Sequence, residues 1–335
     1  MTKSATSRDV ARLANVSQTT VSRVLQGSAR VDPVTREAVM NAIRQLGYLP
    51  SPAARAMRTN RTGTVALVVA SLTSNPLYPA LLQLLSSELR RNALHATVWE
   101  ADRFGEDTAR SLVESPIDGV IVATAVNAAT PFLAQVAQRK PMVLVNRTVA
   151  SEAFDQVTSD NAGGGRAVAA YFCDGGRRRI GLLSAQDYPA STIQDREAGF
   201  TQELLRRGVA LAARDIARVR AFSYQEGLDA ATAMMASGEF DAIFCVNDIL
   251  GIGALDALRR GGIRVPARTW VVGYDDIPMC AWECVSLSTV RQPMEEMVAQ
   301  AVAVLLRRLA GDRSPHQRIE LPNAIVHRRS TVHQP

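Results

Sequence analysis

The sequence is poor in cysteine and in aromatic residues. Only four of its 335 residues are cysteine, and aromatic residues make up 5%. The cysteines form no C-x-x-C pair, and none stands beside a histidine at metal-ligand spacing, so we predict free thiols rather than a metal site or a disulfide framework. Cys280 and Cys284 share one helical face if they lie on a helix, and this spacing leaves a zinc site or a disulfide open as an alternative.

Long apolar runs are also missing. No segment approaches the roughly 18 uninterrupted apolar residues of a membrane helix, and the N-terminus contains no apolar signal-peptide core. With 47% apolar and 21% charged residues, the chain is typical of a globular protein and not of a disordered or fibrous one. We expect a soluble cytoplasmic protein of roughly two or three domains, without a membrane partner.

Motifs that would indicate catalysis are absent. The chain contains no G-x-S-x-G, no G-x-x-x-x-G-K-[ST] and no H-E-x-x-H, and its four histidines are scattered. The glycines of Gly251-Ile252-Gly253 lack the third glycine of a dinucleotide-binding loop and fall inside a predicted helix. The residues therefore indicate no enzyme, no cofactor and no metal.

Basic residues are concentrated at the N-terminus. Residues 1–62 hold ten lysines and arginines against three acidic residues, a balance of +7, whereas the whole chain carries +6. The rest of the chain is therefore nearly neutral. A small basic segment on a neutral body is typical of a nucleic-acid-binding module, because phosphates attract it regardless of base sequence. Charge alone is equally compatible with a solvated basic face.

The N-terminal segment has helical periodicity up to about residue 48. Ser7 and Ser17 are candidate caps of the first two helices, and Asn15 between these helices suits a left-handed turn. A third helix is predicted from Asp32-Pro33, a capping residue before a proline, to Leu46-Gly47. Helix, short turn and helix form the geometry of the DNA-binding helix-turn-helix motif.

The next segment, 50–62, combines two prolines with alanines and arginines and contains one large apolar residue, Met57. A short helix fits this composition, but a single apolar side chain provides almost no core. We expect this segment to fold only when DNA or a partner orders it.

From Thr64 onward, apolar runs alternate with amphipathic stretches. This rhythm predicts an α/β fold with parallel sheets covered by helices, because strands buried on both faces are continuously apolar. It is interrupted at 152–160, which suggests two lobes of similar construction. The predicted strands are Val65–Ala70, Ala96–Trp99, Gly119–Ala123, Met142–Val145, Ile180–Ser184, Val219–Phe222, Ala242–Val246 and Trp270–Gly273. The predicted helices include Pro79–Asn92, Asn161–Cys173, Glu197–Gly208, Gln225–Ala236, Leu250–Arg260 and Met294–Leu309.

Short motifs run nearly the whole length of the chain. In the N-terminal segment they are DVARLANVS at 9–17, TVSRVL at 20–25 and LGYLP at 46–50. Farther along they are SDN at 159–161, RRI at 178–180, ND at 247–248, VVGYDD at 271–276 and STVRQP at 288–293. In this order and spacing, the motifs make the chain resemble the lactose-repressor (LacI/GalR) family of bacterial transcription regulators.

The resemblance implies a helix-turn-helix head at 1–49, a hinge helix or linker at 50–62 and a core at 63–335. Such a core is similar to periplasmic sugar-binding proteins, with two lobes that are each an open parallel sheet and are discontinuous in sequence. The chain lacks the heptad tail of tetrameric members, so the resemblance implies a homodimer. The expected lobes are a near lobe of about 63–160 and 292–321 and a far lobe of about 161–290 and 322–331.

The family reads bases with the outer face of the second helix, and the matching residues here are Gln18, Thr19 and Arg23. Glutamine suits adenine, arginine suits guanine, and threonine offers a hydroxyl and a methyl group. An ordinary exposed helix face is the alternative. Other polar and basic residues of the head suit phosphates, which fix the register. The predicted phosphate contacts are Thr6, Ser7, Asn15, Ser17, Ser22 and Arg30.

Three residues of the 50–62 segment align with the family's minor-groove contacts: Ala53, Ala54 and Met57. By this resemblance, Met57 wedges between base pairs at a flexible step near the centre of a palindrome. Packing of Met57 within the dimer is the alternative.

Polar residues follow several predicted core strands at their carboxyl ends, where open parallel sheets bind ligands. Carboxylates, amides and arginine forks suit the adjacent hydroxyls of a sugar or polyol. The resemblance assigns effector contacts here, with Phe222 as a stacking wall; bracing of the lobes is the alternative for each residue. The positive charge of Arg147 leaves an anionic sugar open as the effector. The predicted contacts are Asn146, Arg196, Phe222, Asn247, Asp275, Gln292, Asn75 and Tyr78.

Together these expectations describe a dimeric, nucleoid-associated repressor that binds a palindromic operator and responds to a small effector, a sugar or sugar derivative. A corepressor of opposite sign stays open. A sugar-binding transport component shares the core, but the basic head argues against it. An α/β enzyme is the third class, and turnover of a sugar would support it.

Overall fold

The structure is a computed structural model, and it describes residues 5–25, 28, 30–48, 61–70, 72, 75–101, 104–185 and 190–332. The chain divides into two compact units, residues 1–62 and residues 63–335. Across these described ranges, no helix is both long enough and apolar enough to cross a membrane.

The first unit contains the three predicted helices, α1 (Ser7–Leu13), α2 (Gln18–Leu25) and α3 (Pro33–Leu46). Asn15, between α1 and α2, has a left-handed φ of 50°, which asparagine tolerates better than most residues. The pattern of helix, short turn and helix is therefore confirmed. A small apolar core holds the three helices together, built from Val10, Ala11, Val21, Val24, Val39 and Ala42.

Capping groups explain where these helices begin and end. Asp32 accepts a hydrogen bond from the Thr35 amide at 2.9 Å, and Gly47 ends α3 with a φ of 57°. At α1 the structure corrects the prediction, because the capping residue is Thr6 and not Ser7. Thr6 and Asp9 bond reciprocally to each other's backbone amides, so they form a capping box.

The second unit alternates strands and helices. Its strands are β1 (Thr64–Val69), β2 (His95–Glu100), β3 (Gly119–Val122), β4 (Met142–Val145), β5 (Asp155–Ser159), β6 (Ile180–Ala185), β7 (Ile216–Val219), β8 (Ala242–Cys245), β9 (Trp270–Asp275), β10 (Ser288–Arg291), β11 (Arg318–Leu321) and β12 (Ala324–Val326). Its helices are α4 (Leu77–Arg91), α5 (Glu106–Glu114), α6 (Thr130–Ala137), α7 (Asn161–Asp174), α8 (Ser191–Arg206), α9 (Tyr224–Ser237), α10 (Asp248–Arg260) and α11 (Met294–Leu309).

In the part of the chain that the structure describes, the strands form two six-stranded sheets. Sheet A has the order β2-β1-β3-β4-β5-β11, and all of its neighbours are parallel. Sheet B has the order β7-β6-β8-β9-β10-β12. Its first five strands are parallel, which confirms the two-sheet α/β fold. Each sheet takes its last strand from the C-terminal part of the chain.

One strand departs from the expected parallel arrangement: β12 is antiparallel to β10. Only Pro322 and Asn323 separate β11 in sheet A from β12 in sheet B. A chain that leaves one sheet at the carboxyl end of a strand and continues straight into the facing sheet must run against that sheet's parallel strands. The short connection therefore dictates the reversed direction.

The apolar residues of the sheets cover both faces. In β1, Val65, Leu67 and Val69 pack on one face, whereas Ala66 and Val68 pack on the other. This alternation follows from the two-residue period of a strand. Helices α4 and α11 supply residues to the first cluster, and α5 and α6 to the second. Sheet B has a single large core cluster that includes residues of α7 to α10.

Several boundaries differ from the predicted ones. Strand β7 covers 216–219 and not 219–222, and α8 begins at Ser191, six residues before the predicted Glu197. Strands β5, β10, β11 and β12 and helices α5 and α6 were not predicted. In β5 the reason is its composition, since its buried residues include Asp155, Gln156, Thr158 and Ser159.

Candidate functional site

The predicted base-reading residues lie on one exposed face of α2. Val21 and Val24 are buried in the head core, and Gln18, Thr19 and Arg23 are exposed. The 3.6-residue period of the helix produces this separation. The Gln18 amide is held at the start of α1, where its Nε2 donates to Ser7 Oγ at 2.7 Å.

Most of the residues predicted to contact phosphates lie at or near the ends of α1 and α2, whereas Ser22 lies within α2 and Arg30 lies between α2 and α3. Thr6 and Ser17 are engaged locally, since Ser17 Oγ accepts from the Thr20 amide at 3.1 Å and Thr6 forms the capping box. Arg30 is exposed. Their roles toward DNA stay predictions. Ala53, Ala54 and Met57 lie outside the described residues.

The centre of the predicted effector site is a buried ion pair. Arg196 on α8 and Asp275 at the end of β9 are both almost fully buried, and Arg196 Nη2 lies 2.9 Å from Asp275 Oδ1. The guanidinium also donates from Nη1 to the carbonyl oxygen of Val246 at 2.7 Å. Its Cζ lies 3.6 Å from the ring centroid of Tyr274, within cation–π range. Arg196 is thus fixed in position by two neighbouring segments of sheet B, strand β9 and the residue that follows β8.

Asp275 receives further hydrogen bonds. Gln292 Nε2 donates to Asp275 Oδ1 at 2.7 Å, and Gln292 Oε1 accepts from Ser159 Oγ at 2.8 Å. Burial raises the pKa of Asp275, while Arg196 and the side-chain bonds from Gln292 and Asn75 act in the opposite direction. Because Ser159 and Asn75 belong to the part of the chain that forms sheet A, Asp275 is the point at which groups from both sheets meet.

Asn146 directly follows β4 of sheet A and has a left-handed φ of 67°. Its side chain is buried, and its Oδ1 has no hydrogen-bond partner among the described residues. A buried oxygen without a donor is unfavourable, so Asn146 is suited to accept a hydrogen bond from a ligand hydroxyl.

The other predicted residues have different surroundings. Asn247 caps α10, where its Oδ1 accepts from the Leu250 amide at 3.1 Å. Tyr78 is buried in sheet A's core, and its hydroxyl accepts from Arg147 Nη2 at 2.9 Å. Phe222 is half-buried against the core of sheet B. The structure therefore brings Asn75, Arg196, Asp275 and Gln292 into contact, and it gives Asn247 and Tyr78 local bracing partners.

Several residues of this region were not predicted as site residues. Asn161 Oδ1 accepts from Arg196 Nε at 2.8 Å, and Tyr274 lies beneath the same guanidinium. Thr148, which follows β4 of sheet A, is joined to Ser191 at the start of α8, which packs on sheet B. The Thr148 amide lies 3.1 Å from Ser191 Oγ. The motifs SDN at 159–161 and VVGYDD at 271–276 contain Asn161 and Tyr274 and were the available signal.

Another buried carboxyl group, that of Asp248, lies near enough to Asp275 for the two charges to interact. Asp248 is fully buried at the start of α10, where its Oδ2 accepts from the Ile277 amide at 2.9 Å and its Oδ1 from Thr289 Oγ1. Burial raises the pKa of Asp248 to about 8, and the nearby charge of Asp275 adds to the rise. Within the ranges that the structure describes, no group of histidine, cysteine, aspartate and glutamate is placed to hold a metal ion.

Two family models match the chain. The model of bacterial regulatory proteins of the lacI family matches residues 6–51, and the model of the periplasmic binding protein-like domain matches residues 169–331. The first match contains α1 to α3, and the second contains most of sheet B and its helices.

Curated relatives match nearly the full length. The HTH-type transcriptional regulator CelR of Thermobifida fusca is 33% identical over an alignment 333 residues long, and the match covers 96% of each chain. The HTH-type transcriptional regulator GalS of Salmonella typhimurium is 32% identical and covers 91% of this chain and 90% of its own. These relatives are named as regulators and not as enzymes.

Solved structures agree with the fold. A complex of the transcriptional regulator CelR with cellobiose is 30% identical, covers 97% of this chain and 99% of its own, and has a TM-score of 0.73. The lac repressor dimer bound to operator covers 99% and 100%, with a TM-score of 0.87 at 24% identity, a likeness of fold. From these matches, the chain belongs to the LacI family of bacterial DNA-binding transcriptional regulators.

Proposed function

We propose that this protein is a dimeric repressor that binds a palindromic operator and whose operator affinity is set by a small carbohydrate held between sheets A and B. The observation that carries the proposal is the cluster at the carboxyl ends of the core strands, where Arg196, Asp275 and Gln292 meet groups from sheet A. Its site of action is the nucleoid in the cytoplasm.

In the head, Arg23, Thr19 and Gln18 read base edges in the major groove. Arg23 is suited to the O6 and N7 atoms of a guanine, which a guanidinium binds with two hydrogen bonds. Thr6, Ser7, Asn15, Ser17, Ser22 and Arg30 contact phosphates and fix the register, and Ala53, Ala54 and Met57 enter the minor groove. The operator-bound dimer of a protein with the same fold supports a two-fold-symmetric site.

In the core, the effector binds where donors and acceptors of both sheets converge. Asp275 accepts hydrogen bonds from sugar hydroxyls, Asn146 offers its free Oδ1, and Arg196 holds the Asp275 carboxylate in place. Asn75, Asn247, Gln292 and Tyr78 complete the polar lining, with Phe222 as an apolar wall. The cellobiose complex of CelR and the ribose-bound regulator from Enterococcus faecium support a carbohydrate.

Control of DNA binding follows from two conformational states of the core. An effector that binds one relative arrangement of the lobes more tightly shifts the protein toward that arrangement. The shift changes the spacing of the two hinge segments in the dimer, and the heads lose or gain the geometry that the operator requires. A corepressor uses the same coupling with the opposite sign.

The first experiment selects tight-binding DNA from a random pool with the full chain at two salt concentrations. We expect a two-fold-symmetric motif. Arg23→Ala loses preference at one position in each half-site, by about 1–3 kcal/mol. The matched control is Arg12→Ala, which removes an exposed arginine that pairs with Asp9 on α1. Recovery of DNA without a pattern, or equal effects of the two variants, would show that the head is a non-specific anchor.

The selected operator then reports on the effector. Its affinity is measured again with a panel of neutral mono- and disaccharides that includes cellobiose and ribose. A sugar that lowers operator affinity identifies an inducer, and one that raises it identifies a corepressor. Operator affinity that no member of the panel changes contradicts control by a neutral sugar of these sizes.

A further inference from the structure

Asn323 is one of the two residues that cross from sheet A to sheet B, between β11 and β12. Its Nδ2 donates two hydrogen bonds of 2.7 Å, one to the backbone oxygen of Asp160 and one to the Tyr274 hydroxyl. A backbone carbonyl can only accept a hydrogen bond, so the nitrogen of the amide must face Asp160.

The two acceptors belong to different parts of the core. Asp160 follows β5 of sheet A and caps α7, where its carboxylate accepts from the Gly163 amide at 2.6 Å. Tyr274 lies in β9 of sheet B and is fully buried. A single amide nitrogen therefore joins the β11–β12 connection to the β5–α7 connection and to β9, the strand that carries Asp275.

Tyr274 extends the connection to the candidate effector site. Its ring lies beneath the guanidinium of Arg196, with Cζ 3.6 Å from the ring centroid, and Asp275 is the next residue in the chain. The hydroxyl reaches the first turn of α7, since a Cβ on Gly164 would overlap it. The ring is thus held by Arg196 on its face and by Asn323 at its hydroxyl.

The Oδ1 of Asn323 is buried and has no hydrogen-bond partner in the part of the chain that the structure describes. An unpartnered buried oxygen is unfavourable, so the two bonds that Nδ2 donates are the contribution of this amide to the fold. An apolar side chain of the same size would fill the space without that cost, but it would not join the two segments.

We infer that Asn323 is a positioning residue for the effector site: through the Tyr274 hydroxyl it fixes the Arg196–Asp275 pair to the crossover and so holds the two sheets in one relative orientation. The inference rests on the proposed role of Asp275 in effector binding. Its consequence, a fixed orientation in the absence of any ligand, is independent of which effector or operator the protein binds.

The test measures the distance between the two sheets in the full chain, without DNA or sugar. Spin labels are placed at Ser111→Cys on α5 and Ala233→Cys on α9, both exposed positions, with the exposed Cys284 changed to serine. Labelled protein is diluted with unlabelled protein so that only distances within one chain are recorded. Tyr274→Phe removes only the hydroxyl, and Asn323→Leu removes both donated bonds. His327→Ala is the matched control, because it removes an exposed ring just beyond β12 that packs on Tyr171.

The parent and His327→Ala give one narrow distance distribution. Tyr274→Phe and Asn323→Leu add a second population at a different distance. The ratio of this population to the first one changes on the order of fivefold for each lost bond. Urea unfolding of the same samples separates this result from a general loss of stability. If both variants keep the narrow distribution of the parent, the inference is wrong. If Asn323→Leu does not fold, Tyr274→Phe decides alone. Neither outcome depends on operator selection, so failure of the proposed function is seen separately.

Discussion

Two neighbouring aspartates at the end of β9 have backbone conformations that residues with side chains rarely adopt. Asp275 has a φ of 112° and Asp276 a φ of 56°. Such conformations cost on the order of 1–3 kcal/mol each and persist only when surrounding contacts hold them. Arg196 and Gln292 hold Asp275, whereas Asp276 pairs with Arg291 at 2.6 Å and with Arg328 at 2.7 Å. The strain lies where the candidate effector site needs a carboxylate at a fixed position.

A second buried carboxylate, Asp155 in sheet A, is expected to matter for stability. Arg308 donates to both of its oxygens, at 2.8 and 3.0 Å, and both side chains are buried. Asp155→Asn leaves the buried guanidinium without its counter-charge, so we expect a loss of about 3–5 kcal/mol in the free energy of unfolding. Urea denaturation measures it. Asp107→Asn, at an exposed pair, is the control and changes stability by less than about 0.5 kcal/mol.

The pH dependence of Asp155 gives this comparison a second readout. Burial opposes ionisation, but hydrogen bonds from Arg308 and His316 outweigh it and lower the pKa of Asp155. The stabilisation is present above the usual aspartate pKa near 4 and is lost as the pH falls through the lowered value. The Asn variant lacks this loss. If the free energy of unfolding of Asp155→Asn fell at low pH as much as that of the parent, Asp155 would not be the group responsible.

Asp248 is expected to act in the opposite direction. Its pKa is raised to about 8, chiefly by burial, so the folded protein holds a proton that the unfolded chain releases above about pH 4. Stability therefore falls as the pH rises from about 4 to about 8, by at most about 1.4 kcal/mol per unit. Asp248→Asn cannot ionise, and its unfolding free energy changes less over this range. Urea unfolding at pH 5 and at pH 8 measures this change in the free energy of unfolding. An equal change in the parent and in Asp248→Asn would refute the prediction.

The expectation that ligands bind at the carboxyl ends of parallel strands identified single residues of the candidate site, but not the contacts between them. It selected Asn146, Arg147, Asn247, Asp248 and Asp275, because these polar residues follow apolar runs. It gave no partner for Arg196, since Asn161 and Tyr274 reach the guanidinium from distant segments. Contacts between such segments depend on how α7 packs against α8 and on where the chain crosses between the sheets. No pattern in neighbouring residues predicts either of these.

Among the elements, helices α7 and α8 approach each other unusually closely. A Cβ on Gly199 of α8 would overlap the backbone oxygen of Ala162 on α7. Gly199→Ala forces the helices apart, and we expect it to lower the free energy of unfolding by about 1–3 kcal/mol. The matched control is Gly261→Ala, whose Cβ would meet its nearest neighbour at 3.4 Å, an ordinary contact. Chemical denaturation compares them, and equal stability would mean that the interface can relax.

Element boundaries were predictable where a local chemical signal exists. The Asp32-Pro33 start and the Leu46-Gly47 end of α3 were predicted correctly, because capping acts within a few residues. Strand β5 was missed although it lies inside sheet A, since its buried Asp155 obtains partners from α11 and from the loop before β11. A strand that depends on distant partners does not show the apolar pattern of the others.

For the whole molecule, charge separates the two units. The excess of +7 lies in residues 1–62, so operator binding is expected to weaken steeply with salt. If a dimer neutralises about 6–10 phosphates, affinity falls about 10³- to 10⁵-fold between 50 and 200 mM salt. Filter binding or fluorescence anisotropy with the selected operator measures the slope. Sugar binding by the nearly neutral core changes little over the same range. A shallow slope would indicate that few of these basic residues contact DNA.

The paired C-terminal strands also have a consequence for synthesis of the protein. Strand β11 completes sheet A and β12 completes sheet B, and both are synthesised after every other strand of the two sheets. The head needs only residues near the start of the chain, so it can fold while translation continues. The core must wait with two unfinished sheet edges until residue 326 has emerged. A nascent chain therefore carries a folded helix-turn-helix head before either sheet of the core is complete.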